Sequence, residues 1–283
     1  MGGCIFANIG GLNIDIDNTI FENNYCESDN DSNGAAIYLL CGDGNENSNL
    51  ILSNCKFLSN FSSNKSANGQ ADGGAIFLMQ YSIECYDCIF ENNSASNGGA
   101  MYIMQSSKFD ANIKNCLMHE NKSNNYGNAI YLDSTPKLNL QGTEISGNSG
   151  GFGAICTDNI NSHHGIFETI ITGSPTIKNN YTNYDNANKL KNSNLVLVKR
   201  NEDLDRVAFD ENSELSAENR IGFNLVDVNG NDCLGTLTEG YNYLSPEHDP
   251  YKYFTYEGYA GAAIIGDDGE QQNEIIIAEH EHD

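Results

Sequence analysis

Six copies of one short apolar motif constrain this chain more than any other feature. Gly73 to Leu78 reads GGAIFL, and related segments stand at Gly2 (GGCIF), Gly34 (GAAIYL), Gly98 (GGAMYI), Gly127 (GNAIYL) and Phe152 (FGAIC). After each copy comes a second motif with a Cys or Thr, an apolar residue two further on and an Asn three beyond that. Its copies are TIFENN from Thr19, CKFLSN from Cys55, CIFENN from Cys88, CLMHEN from Cys116 and TEISGN from Thr143, with a decayed TIITGS from Thr169. Self-similarity at a period of about 25 to 40 residues marks a solenoid, whose repeats cannot bury an apolar face alone.

Aligned, the first motif gives an apolar column of Ile5, Ile37, Ile76, Met101, Ile130 and Ile155. Leu39, Leu78, Ile103 and Leu132 form a second column, with the weaker Ala7 and Thr157 at its ends. Between them runs an aromatic column of Phe6, Tyr38, Phe77, Tyr102 and Tyr131, closed by Cys156. A period of two is a strand signature, so the aliphatic columns point inward and the aromatic column outward. Ahead of the second motif lie further alternating pairs, such as Ile14 and Ile16 or Leu50 and Leu52, and the break before its Cys implies a bend. Each repeat therefore supplies three short strands and three corners, the composition of a parallel β-helix coil. Coils about 4.8 Å apart bring identical side chains into ladders, and Asn24, Asn60, Asn93, Asn121 and Asn148 form an asparagine ladder at one corner. The Gly pairs suit another corner, where positive φ is required. Cys55, Cys88 and Cys116 share a column with Thr19, Thr143 and Thr169 and act there as small buried side chains.

The architecture expected is all-β: a single-stranded right-handed parallel β-helix of about six to seven coils over residues 1–228, followed by an antiparallel β-hairpin cap over 229–283. LVLVKRN at Leu195 and IGFNLVD at Ile221 read as strands of one last, irregular coil. Beyond Asn229 the segments TLTEGYNYL, KYFTYEGYAGAAIIG and NEIIIAE read as hairpins, the last two joined across DDGEQQ.

Charge narrows the partners. Among 283 residues, 14 Lys plus Arg stand against 39 Asp plus Glu, a net charge of −25, which argues against nucleic acid or an anionic membrane. No stretch of some eighteen apolar residues is present, so no membrane insertion by this chain is expected. The N-terminus lacks a basic-then-apolar secretory leader and opens inside a repeat, which reads as part of a longer protein. Nine cysteines cannot all pair. In an oxidising compartment Cys26 and Cys41 are a candidate pair; the column cysteines read as buried free thiols. Asp29, Asp31, Asn33 and Gly34 match the opening of a calcium loop, but Leu40 stands where a bidentate Glu is needed and no helices flank the segment. A solvated corner before a Gly turn accounts for it, so no cofactor is assigned and calcium is only weakly supported. His280, Glu281, His282 and Asp283 read as a frayed terminus rather than a metal site.

GGAIFL at Gly73, GGAMYI at Gly98, CIFENN at Cys88 and CKFLSN at Cys55 together resemble the chlamydial polymorphic outer membrane protein repeat and the adhesin-like surface proteins of gut microbes and methanogens. The segment from Thr169, with GSPTIKNN and then LVLV, is similar to the closing part of right-handed β-helix proteins from gut bacteria. This resemblance implies a β-helix displayed outside the cell, at the cell surface, as a passenger or stalk, with a cell-surface or environmental glycan or protein as partner. The chain departs from that family in carrying no signal, anchor or autotransporter barrel of its own.

Three functions compete: an adhesin-like or structural surface segment that is not an enzyme, a polysaccharide-degrading β-helix enzyme, and a ligand-free spacer. Lyase chemistry needs a cation beside carboxylate-held calcium, yet no Arg precedes Arg200 and no Lys of the regular coils shares a column with acids. Hydrolysis needs converging carboxylates; Asp15 and Asp17 share the outer face of one strand, and His163, His164 and Gly165 are a faint reminder of such a site. No catalytic residue and no metal ligand is assigned. The candidate binding residues are Tyr38, Phe77, Tyr102 and Tyr131, an outward stripe able to stack on sugar rings or dock a partner. The competing reading is that the rings stabilise the sheet by stacking on one another.

Overall fold

The computed structural model describes residues 3–41, 48–66, 70–104, 110–134, 137–158, 167–183, 191–200, 205–209, 220–236, 238–239, 253–267 and 272–279. Its order follows from the columns. Ile37 pairs in register with Ile5 and Ile76, Ile76 with Met101, Met101 with Ile130 and Ile130 with Ile155, and every one of these pairings is parallel. The result is a parallel β-helix whose coils stack along one axis.

Each coil of the regular part visits four sheets rather than three. In the third coil the strands are Ile76–Met79 in sheet 1, Ser82–Tyr86 in sheet 2, Ile89–Glu91 in sheet 3 and Ser94–Asn97 in sheet 4. The fourth strand is missing from the sequence reading because its residues, SASN here, carry no apolar alternation. Inward Ala95 is the only apolar side chain it offers.

Corners are turned by residues in the left-handed region. Between sheets 2 and 3 these are Asn18, Asn54, Asp87 and Asn115, with φ of 49 to 53°, and then Gly142. Between sheets 3 and 4 they are Asn23, Ser59, Asn92, Glu120, Gly147 and Asn179. Gly73 turns the corner into sheet 1 with φ 66°, and a Cβ there would lie 2.1 Å from the Ile76 carbonyl oxygen. Its neighbour Gly74 is needed because a Cβ would fall 2.1 Å from the Gly99 oxygen of the next coil.

The asparagine ladder follows directly after the second set of corners. Asn93 donates its backbone N–H and its Nδ2 to Asn121 Oδ1 at 3.0 and 2.9 Å, and gives a further Nδ2 bond to the Phe57 carbonyl at 2.9 Å. Asn121 treats Asn148 in the same way, and Asn148 treats Asn180. The chain of amides runs in one direction, from Asn180 Nδ2 to Asn194 Oδ1 at 2.8 Å. It ends on a carboxylate, where Asn194 donates N–H and Nδ2 to Glu257 at 2.9 and 2.7 Å. A carboxylate accepts without donating, so it suits the last place in such a chain. Burial raises the Glu257 pKa.

The Cys/Thr column does more than fill space. Cys88 Sγ donates to its own strand-end carbonyl at Tyr86, 3.2 Å away, and accepts the backbone N–H of Cys55 at 3.3 Å. Thr143 Oγ1 does the same for Gln141 and Cys116. One small X–H group on Cβ is the requirement, which both residue types meet. None of the nine cysteines is in a disulfide, so Cys26 and Cys41 are not joined.

Two alignments change beyond Phe152. TIITGS is not a second-motif copy: its Ile171 pairs with Leu138 in sheet 2, and the third-sheet strand is Thr176–Lys178, whose Ile177 pairs with Ile145. Asn180 therefore takes the ladder place. Leu195–Lys199 and Ile221–Asp227 lie side by side in sheet 1, in parallel, and so belong to successive coils. Parallel stacking continues past Asp227, because Phe254–Tyr256 joins sheet 1 and Thr238–Glu239 joins sheet 2. Ala262–Asp267 and Gln272–Ala278 make the antiparallel hairpin expected across DDGEQQ, and Gly235–Thr236 pairs with its second strand. Ala263, Ile275 and Ile277 are buried against the same core as the coils.

The core is one continuous stack of inward side chains. Phe21, Phe57 and Phe90 lie ring on ring, with Phe57 and Phe90 centroids 4.7 Å apart and the planes 1° from parallel. Fully burying each such side chain contributes about 1.5 to 3 kcal/mol.

Candidate functional site

The outward stripe lies outside the core, as alternation requires, and its rings follow one another along the axis, edge-on from Tyr38 to Phe77, stacked from Phe77 to Tyr102 and tilted from Tyr102 to Tyr131. Centroids are 5.0 Å apart from Tyr38 to Phe77, 5.0 Å from Phe77 to Tyr102 and 4.9 Å from Tyr102 to Tyr131. Its exposure is where the sequence expectation is corrected. Phe77, Tyr102 and Tyr131 are only 3, 5 and 3% exposed, and Tyr38 is half-buried. They form a second apolar cluster with Cys156, Val196, Val198 and Val226, against which Met79, Met104, Tyr126 and Phe152 pack. Three of the four ring faces are therefore covered by one another and by these neighbours.

The phenol ends are held by acids that sequence reasoning missed. Tyr131 donates to Asp158 Oδ2 at 2.8 Å and Tyr102 to Asp133 Oδ2 at 3.3 Å. Asp158, fully buried, receives Arg200 through Nε and through Nη2, the latter at 2.7 Å. Ser134 donates to Asp133 at 2.9 Å. Asp133 and Asp158 pair with each other in sheet 1, two residues beyond Tyr131 and Cys156. A third acid, Asp72, ends the sheet 4 strand Ala71–Asp72, is 3% exposed, and accepts Asn97 Nδ2 at 2.8 Å. Burial raises the Asp72 carboxyl to about 7 and the Asp133 carboxyl to about 6. Burial also raises both tyrosines, and the bond to Asp158 raises Arg200. This is a hydrogen-bonded lining beneath the surface, with its groups turned toward one another. The signal for it was the Asp that follows YL at Asp133 and CT at Asp158, where earlier coils carry Leu40, Met79 and Met104.

Other candidates occupy separate places. Asp15 and Asp17 do share the exposed face of Asn13–Asp17, opposite inward Ile14 and Ile16, and Asp17 accepts Asn54 Nδ2 at 3.1 Å. In the calcium-like segment Asp31 accepts Gln70 N–H and Asn33 Oδ1 accepts Asp72 N–H, while Gly34 has φ 57°. Both side chains thus tie neighbouring coils together. Among the described residues no group of three or more His, Cys, Asp or Glu is placed to hold a metal ion. His163, His164, Gly165 and the terminal His280, Glu281, His282 and Asp283 lie outside the described residues.

Among the described residues, one stacked aromatic pair has both rings exposed. Tyr25 and Phe61, on the outer face of sheet 4, are 54 and 39% exposed and stack at 5.4 Å with planes 18° apart. Tyr25 donates to Glu27, which pairs with Lys65 at 2.8 Å. The Lys65 bond, then that of Tyr25, lowers the Glu27 pKa, and the Glu27 contact raises that of Tyr25. The sequence signal was the residue directly after each ladder Asn: Tyr25 after Asn24 and Phe61 after Asn60, then Ser94, Lys122 and Ser149.

Residues 87–102 match the Chlamydia polymorphic membrane protein (Chlamydia_PMP) repeat. The match runs from the left-handed Asp87 through Cys88, inward Phe90, Asn92 and Asn93 to Gly98 and Tyr102. It therefore covers the left-handed residues of three successive corners, Asp87, Asn92 and Gly98. No curated protein and no solved structure matches the chain.

Proposed function

We propose that this chain is a non-catalytic, surface-displayed segment of adhesin type, a rigid β-helical stack that presents side chains to glycans or proteins outside the cell. The observation that carries this reading is the polymorphic membrane protein repeat at residues 87–102, whose corner and ladder residues recur through the regular coils. A stack of this kind holds its outer faces at fixed coil spacing, which suits extended, repetitive binding partners. The large negative charge favours partners without dense anionic groups.

The test is adhesion of the purified chain, immobilised on beads, to cell surfaces and to films of neutral and acidic polysaccharides, with product release measured in the same wells. Saturable retention without release of reducing ends or unsaturated sugars is expected. Release of sugar products, lost on Asp15→Asn with Asp17→Asn, would replace this reading with a glycan-degrading enzyme. Absence of retention on every surface by folded protein would leave a spacer.

A further inference from the structure

We infer that the outer face of sheet 4 at Tyr25 and Phe61 is a carbohydrate-binding platform for a neutral pyranose chain, an inference that rests on the adhesin reading above. Among the described residues the near-parallel stacks elsewhere in the regular coils are covered: Phe21, Phe57 and Phe90 lie in the core, and Phe77 and Tyr102 lie under apolar and acidic neighbours, while the exposed Phe6 meets Tyr38 at a tilt of 48°. Tyr25 and Phe61 have the same register and near-parallel planes, with both rings open to water. The neighbour of Phe61 in the next coil is Ser94, too small to cover the ring's far face.

Polar groups stand where sugar hydroxyls need them. Glu27 and Ser63 face one another two residues along the two strands, and Lys65 follows. Glu27 is fixed by the Tyr25 hydroxyl and Lys65, so it is an oriented acceptor. A pyranose offers an apolar C–H face for the rings and hydroxyl donors for a carboxylate, and a few placed polar groups beside an apolar floor set ligand orientation. Two rings make a floor far smaller than the roughly 800 Å² per partner of a stable protein interface. A net charge of −25 disfavours uronates and sulfated chains. Together these features select a neutral sugar over a protein or an anionic polysaccharide.

The test uses the full chain and three neutral hexasaccharides as probes, a β-1,4-glucan, a β-1,4-mannan and a β-1,3-galactan. Binding is followed by calorimetry and by saturation transfer to the ligand in nuclear magnetic resonance. At least one probe is expected to bind, about tenfold more weakly to Phe61→Ser and to Tyr25→Ser. Tyr86→Ser, which removes a tyrosine bonded to Glu84 on sheet 2, should leave binding unchanged. Equal binding by wild type and Phe61→Ser, with both shown folded, would overturn the platform and leave the adhesin reading intact. No binding of any hexasaccharide by a chain that still adheres to cells would overturn the ligand class alone. Absence of both would overturn the platform together with the reading it rests on.

Discussion

Two outward faces of this molecule carry aromatic rings at the same coil spacing and end in opposite environments. On sheet 1, Tyr102 and Tyr131 are buried, their hydroxyls tied to Asp133 and Asp158. On sheet 4, Tyr25 and Phe61 stack at a similar separation and stay open. Ring spacing follows from register alone; cover follows from what stands beside each ring. Sheet 1 places Met79, Met104, Asp133 and Asp158 two residues on from the stripe, and the ends of two sheet 4 strands bring Tyr126 and Phe152 alongside it. Sheet 4 offers only Glu27 and Ser63 at the equivalent offset. An aromatic column in a repeat alignment therefore identifies a stack but leaves its exposure open.

The comparison breaks first at the frame that holds both faces in register. Asn121→Leu removes the acceptor of two Asn93 donors and the donor to the Phe90 carbonyl, all buried. At about 1 to 3 kcal/mol for each orphaned group, the loss should be about 4 kcal/mol, read as a denaturation midpoint, and ring contacts on both faces should loosen. Next in size is Tyr131→Ser, which empties a buried ring site and leaves Asp158 with Arg200 as partner; a fall of about 3 kcal/mol is expected.

Two buried acids, Asp133 of sheet 1 and Asp72 of sheet 4, add a pH dependence. Asp72 and Asp133 titrate near 7 and 6 in the folded chain against an ordinary carboxyl value of 3.8. The folded state thus holds these protons more tightly than the unfolded one. Their contribution is fully present below about 3.8 and is lost as pH rises through 6 and 7. Denaturation midpoints should therefore fall between pH 4 and pH 8, and Asp72→Asn should flatten the profile. Smallest is Phe61→Ser, whose ring is outside the core; it should change stability by no more than about 0.5 kcal/mol.

Much of the fold was legible because the corners repeat. The Ile, Leu and aromatic columns, the asparagine ladder and the Gly turns are local requirements met by the same or a similar residue in most of the regular coils. What was not legible lacks such repetition. Sheet 4 is built from segments such as SASN, whose polar outer residues and single inward Ala hide the strand period. Past Phe152 the inward places are kept while the corner residues change. Thr176–Lys178 was therefore misaligned, and Leu195–Lys199 and Ile221–Asp227 were merged into one coil. Glu257 had no signal at all, since its place at the end of the amide chain is set by a fold-back 63 residues from Asn194. Of the candidate site, the stripe's direction was readable but its cover was not. Asp133, Asp158 and Arg200 come from three separated segments, and only the folded chain brings them to the tyrosine hydroxyls.

The most direct test of this account sets Tyr131→Ser beside Phe61→Ser, measuring urea denaturation and adhesion to one surface on the same preparations. A buried stripe and an open platform predict a large stability loss with adhesion per folded molecule unchanged for Tyr131→Ser, and the converse for Phe61→Ser. Unaltered stability with lost adhesion in Tyr131→Ser would contradict the account and return the binding face to sheet 1.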